Sequence, residues 1–131
     1  MSEGGCLCGA VRYRISGPPS SSVVCHCASC RRASGAPTVA WVSVSRAQFQ
    51  ILAGSPTVFD SSPGVRRQFC GRCGCALTYE TAKSPDSIDI TTVSLDDPNA
   101  FPPTADVWLE DKIPWQQTDA AIGKYAGSSL D

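Results

Sequence analysis

The stretch VVCHCASCRRASG, Val23–Gly35, runs from an apolar pair through three cysteines into a short helical signal. Val23 and Val24 favour extended backbone. The ASCRRASG segment reads as one or two helical turns stopped by Gly35. Three thiols spaced C-x-C-x-x-C fall one donor short of a closed four-sulfur metal site. The stretch also holds the one histidine of the chain, His26. The reading of the fold turns on whether a fourth ligand closes this knuckle or the position is left open.

The other thiols decide the question. The chain has eight cysteines, placed as Cys6-x-Cys8, Cys25-x-Cys27-x-x-Cys30 and Cys70-x-x-Cys73-x-Cys75. Close neighbours on one strand rarely supply the geometry a disulfide needs, and the spacing is that of metal knuckles. Cys6 and Cys8 with Cys70 and Cys73 make four sulfurs, a closed tetrahedral set for a structural zinc. Flanking glycines in GGCLCG and CGRCG allow the tight turns. Cys25, Cys27 and Cys30 remain as a three-thiolate set with an open fourth position, the arrangement of a catalytic zinc. Soft thiolates with a single histidine favour zinc, with an iron–sulfur cluster as the lesser option. Two zinc ions are therefore expected, the second more labile. Three thiolates leave the zinc site at a net charge of −1. That disfavours water activation and suits capture of an incoming thiolate.

His26 lies between two of these ligands. In a strand it points away from Cys25 and Cys27, so it reads as a packing or supporting residue and not as the fourth ligand. Cys75 reads either as a small buried hydrophobe or as a further ligand. The candidates for the fourth position are a substrate thiol, water and Cys75, in that order.

Most of the remaining sequence alternates in short runs bounded by Gly, Pro and Ser. AVRYRI, SVVCHC, TVAWVSV, FQILAG, TVFDSS, VRRQFC, ALTYET, SIDITTVSL and DVWLE read as strands, DVWLE being the last. DDPNAFPPTA is a proline-rich loop, TDAAIGKYAG a short helix at best, and SSLD a frayed tail. With 131 residues, ten prolines and eleven glycines, this indicates one all-β domain with its core over about residues 4–125. A β domain of this size has a limited core, which a structural metal would reinforce.

Net charge is −1, which does not suit nucleic acid or an anionic membrane. No apolar run approaches the roughly 18–20 residues needed to span a bilayer. The opening MSEGGCLCG lacks the features of a secretory signal, so the expected compartment is the cytoplasm.

GGCLCGAVRY (Gly4–Tyr13), CHCASCRRASGAP (Cys25–Pro37), AWVSV (Ala40–Val44), FCGRCGCAL (Phe69–Leu77) and KIPW (Lys112–Trp115) together resemble the glutathione-dependent formaldehyde-activating enzyme family. The resemblance covers Gly4 to Trp115. It implies a tent-like β fold shared with a Rab exchange factor. It also implies a structural zinc on Cys6, Cys8, Cys70 and Cys73 and a catalytic zinc on Cys25, Cys27 and Cys30. The implied activity is that of a carbon–sulfur lyase joining formaldehyde to glutathione as S-(hydroxymethyl)glutathione. Two positions depart from the pattern: Asp106 stands where members commonly carry histidine, and Cys75 where a small non-cysteine residue is usual.

Several other residues are candidates for substrate. Arg31 suits a substrate carboxylate, although Arg31 and Arg32 also read as a solvated helix face. Ser34 and Gly35 offer a hydroxyl and a backbone N–H, or simply a helix stop. Trp41 is core or a pocket wall; Trp108 and Trp115 read the same way, more often as core. Glu110–Asp111–Lys112 is exposed charge. The alternative to an enzyme is a non-enzymatic zinc module that binds another protein.

Overall fold

The computed structural model describes residues 1–128. Its strands are β1 (Ser2–Gly5), β2 (Arg12–Ile15), β3 (Ser21–Cys25), β4 (Val39–Ser45), β5 (Phe49–Ala53), β6 (Thr57–Ser62), β7 (Val65–Phe69), β8 (Ala76–Thr81), β9 (Ser87–Thr91), β10 (Ala105–Val107) and β11 (Gly123–Lys124). One α-helix, α1 (Ala28–Ser34), and three short 3-10 turns complete the described elements. They form a three-stranded sheet, β1-β2-β5, and an eight-stranded sheet ordered β11-β10-β3-β4-β9-β8-β7-β6. The pairings are antiparallel except β3–β10 and β10–β11. The all-β reading is borne out.

Strand β4 shows why there are two layers. Val42 and Val44 point to one face of the large sheet, and Val39 and Trp41 to the other. On the first face, Val42, Val44, Leu77, Ile88 and Ile90 pack with Val11 and with Tyr13 and Ile15 of the small sheet. This is the main core. On the second face a smaller cluster gathers Cys25, Cys30, Val39, Trp41 and Val107. Helix α1 lies here, so this face carries the three-thiol knuckle.

Four expectations need correction. The DVWLE strand stops at Val107, because Trp108 takes a left-handed backbone (φ 57°) and a 3-10 turn follows over Leu109–Asp111. It is also not the last strand. The TDAAIGKYAG segment is turns followed by β11, without helix. Gly123 and Tyr125 donate backbone hydrogen bonds to Thr104 and Asp106, so sheet pairing replaces the i to i−4 bonds a helix would need. SIDITTVSL is a strand only to Thr91, then a 3-10 turn over Thr92–Ser94. Trp108 and Trp115 are not core: they are 36% and 69% exposed. Of the frayed-tail segment SSLD, residues 129–131 lie outside the described residues.

No helix among the described residues is long and apolar enough to cross a membrane. Ile90 is fully buried between the layers. Ile90→Ala should cost about 2–5 kcal/mol in denaturant unfolding. Phe59→Ser, at a side chain 60% exposed, should change stability by no more than about 0.5 kcal/mol.

Candidate metal centres and their surroundings

Each knuckle is set by backbone donors to sulfur. Val11 N–H donates to Cys6 Sγ at 3.3 Å, and the N–H groups of Arg72 and Cys73 donate to Cys70 Sγ at 3.4 Å each. Gly74 closes the second turn at φ 81°, a conformation glycine adopts without strain. The two knuckles meet across the chain: Cys6 Sγ is 3.6 Å from Cys8 Sγ, and Cys8 Sγ is 3.7 Å from Cys70 Sγ. The sulfurs of Cys6, Cys8, Cys70 and Cys73 all lie within 4.8 Å of one another. A tetrahedron with zinc–sulfur bonds of about 2.3 Å has sulfur–sulfur edges of about 3.8 Å. The four-thiol set fits such an ion. Burial pushes the Cys6 thiol up, but the Val11 N–H and the Cys70, Cys8 and Cys73 thiols outweigh it and bring its pKa to about 6.

The second set, Cys25, Cys27 and Cys30, also lies within 4.8 Å sulfur to sulfur. Cys25 ends β3, a strand paired on both sides, with Val39 of β4 and Val107 of β10 opposite it. Cys27 is the N-cap of α1, and its Sγ accepts from the Cys30 N–H at 3.3 Å. Gly35 ends the helix at φ 66° and donates to the Arg31 carbonyl. Cys25 and Cys30 are buried, while Cys27 is partly exposed. Hydrogen bonds from the Cys25 and Cys30 thiols hold the Cys27 pKa far below the ordinary thiol range, against desolvation. Hydrogen bonds with Cys27 and Cys30, and then burial, push Cys25 up. Among the described residues no histidine or carboxylate joins this set, and Cys75 joins neither. The Cys75 thiol is pushed up chiefly by burial and sits 3.6 Å from the Ala76 carbonyl.

His26 is 1% exposed and turned from the sulfurs toward Asp106: Nε2 lies 2.9 Å from Asp106 Oδ1. Asp106 Oδ2 lies 3.1 Å from Lys124 Nζ. The strand alternation invoked for His26 ends at Cys25. What aims the ring is this buried carboxylate, together with the His26 N–H bonded to the Val107 carbonyl at 3.1 Å. Asp106, singled out as a departure from the family pattern, is thus the partner of His26, and Lys124 completes the chain.

The other candidates are distributed as follows. Arg31 Nη1 donates to the carbonyls of His26 (2.7 Å) and Asp111 (2.5 Å), so it ties the knuckle to the turn after β10. Arg32 is exposed. Ser34 Oγ donates to the Cys30 carbonyl at 2.8 Å and also lines a cleft of about 550 Å³. Cys6, Leu7, Val39, Cys75 and Val93 line the same cleft, whereas Arg31, Gly35 and Trp41 do not. Trp41 is 5% exposed and packs on Tyr79, ring centroids 6.1 Å apart.

Arg67 is the residue the sequence reading missed. It projects from β7 and lies beside the Cys30 sulfur, Nη1 and Nη2 at 3.8 and 3.7 Å. Its guanidinium stacks over the Tyr79 ring, 5.0 Å from the centroid. The signal was present as the second arginine of VRRQF, but only the register of β7 on β8 shows which of Arg66 and Arg67 faces the thiols.

The fold and these centres define a two-sheet β protein carrying two thiol clusters of metal-ligand geometry, one with four sulfurs and one with three. The family model described as glutathione-dependent formaldehyde-activating enzyme matches residues 1–111. The chain belongs to that family. A Halomonas elongata protein named "Putative glutathione-dependent formaldehyde-activating enzyme" is 29% identical, covering 98% of this chain and 90% of that protein. A crystal structure of a Rhodobacter sphaeroides protein is similar in fold, with TM-score 0.62 and 20% identity over 72% of this chain and 87% of that one.

Two predictions follow from this geometry. Protein prepared under reducing conditions with zinc should contain about two zinc ions per chain by elemental analysis, and Cys27→Ser about one with the fold retained. Cys70→Ser should lose the other ion together with cooperative unfolding; retention of cooperative unfolding would contradict a structural role. The second concerns Asp89, which shares a face with the thiols. Burial holds its carboxyl above the ordinary 3.8, against the Ser43 hydroxyl at 2.5 Å. A carboxyl ionising later in the folded chain gives stability below pH 3.8 that is lost as pH rises through the folded value. Asp89→Asn should therefore melt above wild type at pH 7, with the gain vanishing below about pH 4.

Proposed function

We propose that the chain is a single-domain zinc enzyme that adds a small thiol such as glutathione to formaldehyde or a related aldehyde, as a carbon–sulfur lyase acting in the synthetic direction. The observation that carries this reading is the three-thiol set without a fourth protein ligand among the described residues, on the sheet face opposite the main core. Cys6, Cys8, Cys70 and Cys73 have the structural role. A zinc ion on Cys25, Cys27 and Cys30 would supply a Lewis-acidic position at which a thiol is held as thiolate.

The chain's own residues do the rest. Cys25 is fixed by two strand pairings and Cys27 by the helix cap, so the set is rigid before substrate arrives. Partial exposure of Cys27 gives solvent access on one side. Asp106, through His26, and Arg31, through the His26 carbonyl, hold the knuckle's backbone. The substrate sulfur attacks the carbonyl carbon, a carbon–sulfur bond forms, and the carbonyl π pair moves to oxygen. The thiol proton ends on the new hydroxyl. Free thiols throughout suit a reducing compartment, so the cytoplasm is the proposed location.

The test is adduct formation, followed under anaerobic conditions with zinc-loaded protein, glutathione and formaldehyde. The expected result is a rate above the uncatalysed reaction that falls to background in Cys27→Ser. Equal rates for wild type and variant across several thiols would remove the enzymatic reading. They would leave the non-enzymatic zinc module as the alternative.

A further inference from the structure

Four arginines have a carboxylate partner: Arg12 with Asp96, Arg14 with Glu3, Arg46 with Glu80 and Arg66 with Asp60. Arg67 has none among the described residues. Its only polar contact among the described residues is the Cys30 sulfur, at a distance that leaves most of its five donors unused. It is nevertheless half-buried and held in place by Tyr79, whose ring is itself packed on Trp41. A guanidinium that is partly desolvated, rigidly stacked and unpaired is an anion site waiting for its anion.

Its position states which anion. Arg67 adjoins the three-thiol set on the face away from the main core. Across the sheet, Arg67 lies opposite Tyr79, Tyr79 opposite Asp89, and Asp89 opposite Ser43, all on that face. Asp89 does not neutralise Arg67, since Tyr79 stands between them and Ser43 takes its Oδ1. A ligand at the thiol set therefore meets a fixed positive charge 3.7 Å from the Cys30 sulfur. Cys27 and Cys30 thiolates attract the same guanidinium, but a sulfur accepts weakly and at long range, whereas a carboxylate takes two short parallel bonds.

We infer that Arg67 is a specificity-determining residue that binds a carboxylate of the substrate, so that the site selects thiols carrying a carboxylate near the sulfur over neutral or cationic thiols. This rests on the reading of the three-thiol set as a thiol-binding centre. Tyr79 is a positioning residue, holding the guanidinium flat.

The test uses cobalt-substituted full-length protein, in which a thiolate joining the three-thiol set changes the sulfur-to-cobalt charge-transfer absorption. Three small probes of similar size are titrated: 3-mercaptopropionate, 2-mercaptoethanol and cysteamine. In wild type, 3-mercaptopropionate should bind about tenfold more tightly than 2-mercaptoethanol, the size expected of a charge-assisted bond, and cysteamine the most weakly. Arg67→Gln should erase the preference while leaving 2-mercaptoethanol within about twofold of wild type. Arg67→Lys should keep part of it. The absorption of each variant without thiol, compared with wild type, shows whether the metal sites are intact. If Arg67→Gln disturbs them, the wild-type and Arg67→Lys titrations alone decide. Equal binding of the three probes by wild type, or equal weakening of all three in a variant with intact metal sites, overturns the inference and leaves the proposed function standing. Failure of every thiol to bind wild type overturns both.

Discussion

Sulfur packing across a long chain separation is the constraint on which this structure rests. Cys8 and Cys70 bring their thiols to 3.7 Å although they stand 62 positions apart in sequence. Closing so long a loop has a substantial entropic cost, and one local contact does not offset it. Two features do. The backbone N–H groups of Val11, Arg72 and Cys73 aim the sulfurs before any ion binds. An ion on the four thiolates would favour only the folded chain, since the unfolded chain has no such set. This would join the turn between β1 and β2 of the small sheet to the turn between β7 and β8 of the large one, and the main core lies between the sheets.

With the sheets joined on one side, the opposite face of the large sheet is free for chemistry. Cys25, Trp41 and Val107 sit there only because strand geometry sends alternate residues to opposite faces. The three-thiol set is thus a product of the same alternation that builds the main core. Its rigidity comes from β3 lying between two paired neighbours and from Cys27 serving as both helix cap and candidate ligand. The chain from buried His26 and Asp106 to surface Lys124 fastens the end of β3 to the two C-terminal strands. The short β10 and β11 therefore matter to the site more than their length suggests.

The cysteine spacings carried most of the fold and both candidate centres, because metal-knuckle chemistry is local: C-x-C and C-x-x-C fix the distance between sulfurs with little help from the rest of the chain. The helix after Cys27 and its stop at Gly35 were legible for the same reason. What the sequence hid was non-local. Strand β11 is two residues long and exists only by pairing with β10, so its segment shows helical composition and no strand period. The partner of His26 is 80 residues away. Arg66 and Arg67 are indistinguishable until register assigns each to a face. Trp108 and Trp115 looked like core because aromatic residues of small domains usually are, yet the chain turns sharply at Trp108 and leaves both at the surface.

The central claim is that one centre is closed by protein sulfur and the other completes its coordination with substrate sulfur. X-ray absorption at the zinc edge on fully loaded protein counts sulfurs directly. The account predicts an average of about three and a half sulfurs per zinc, rising to about four when glutathione is added. An average of four before glutathione, unchanged afterward, would mean that the chain closes both centres itself, and would contradict it.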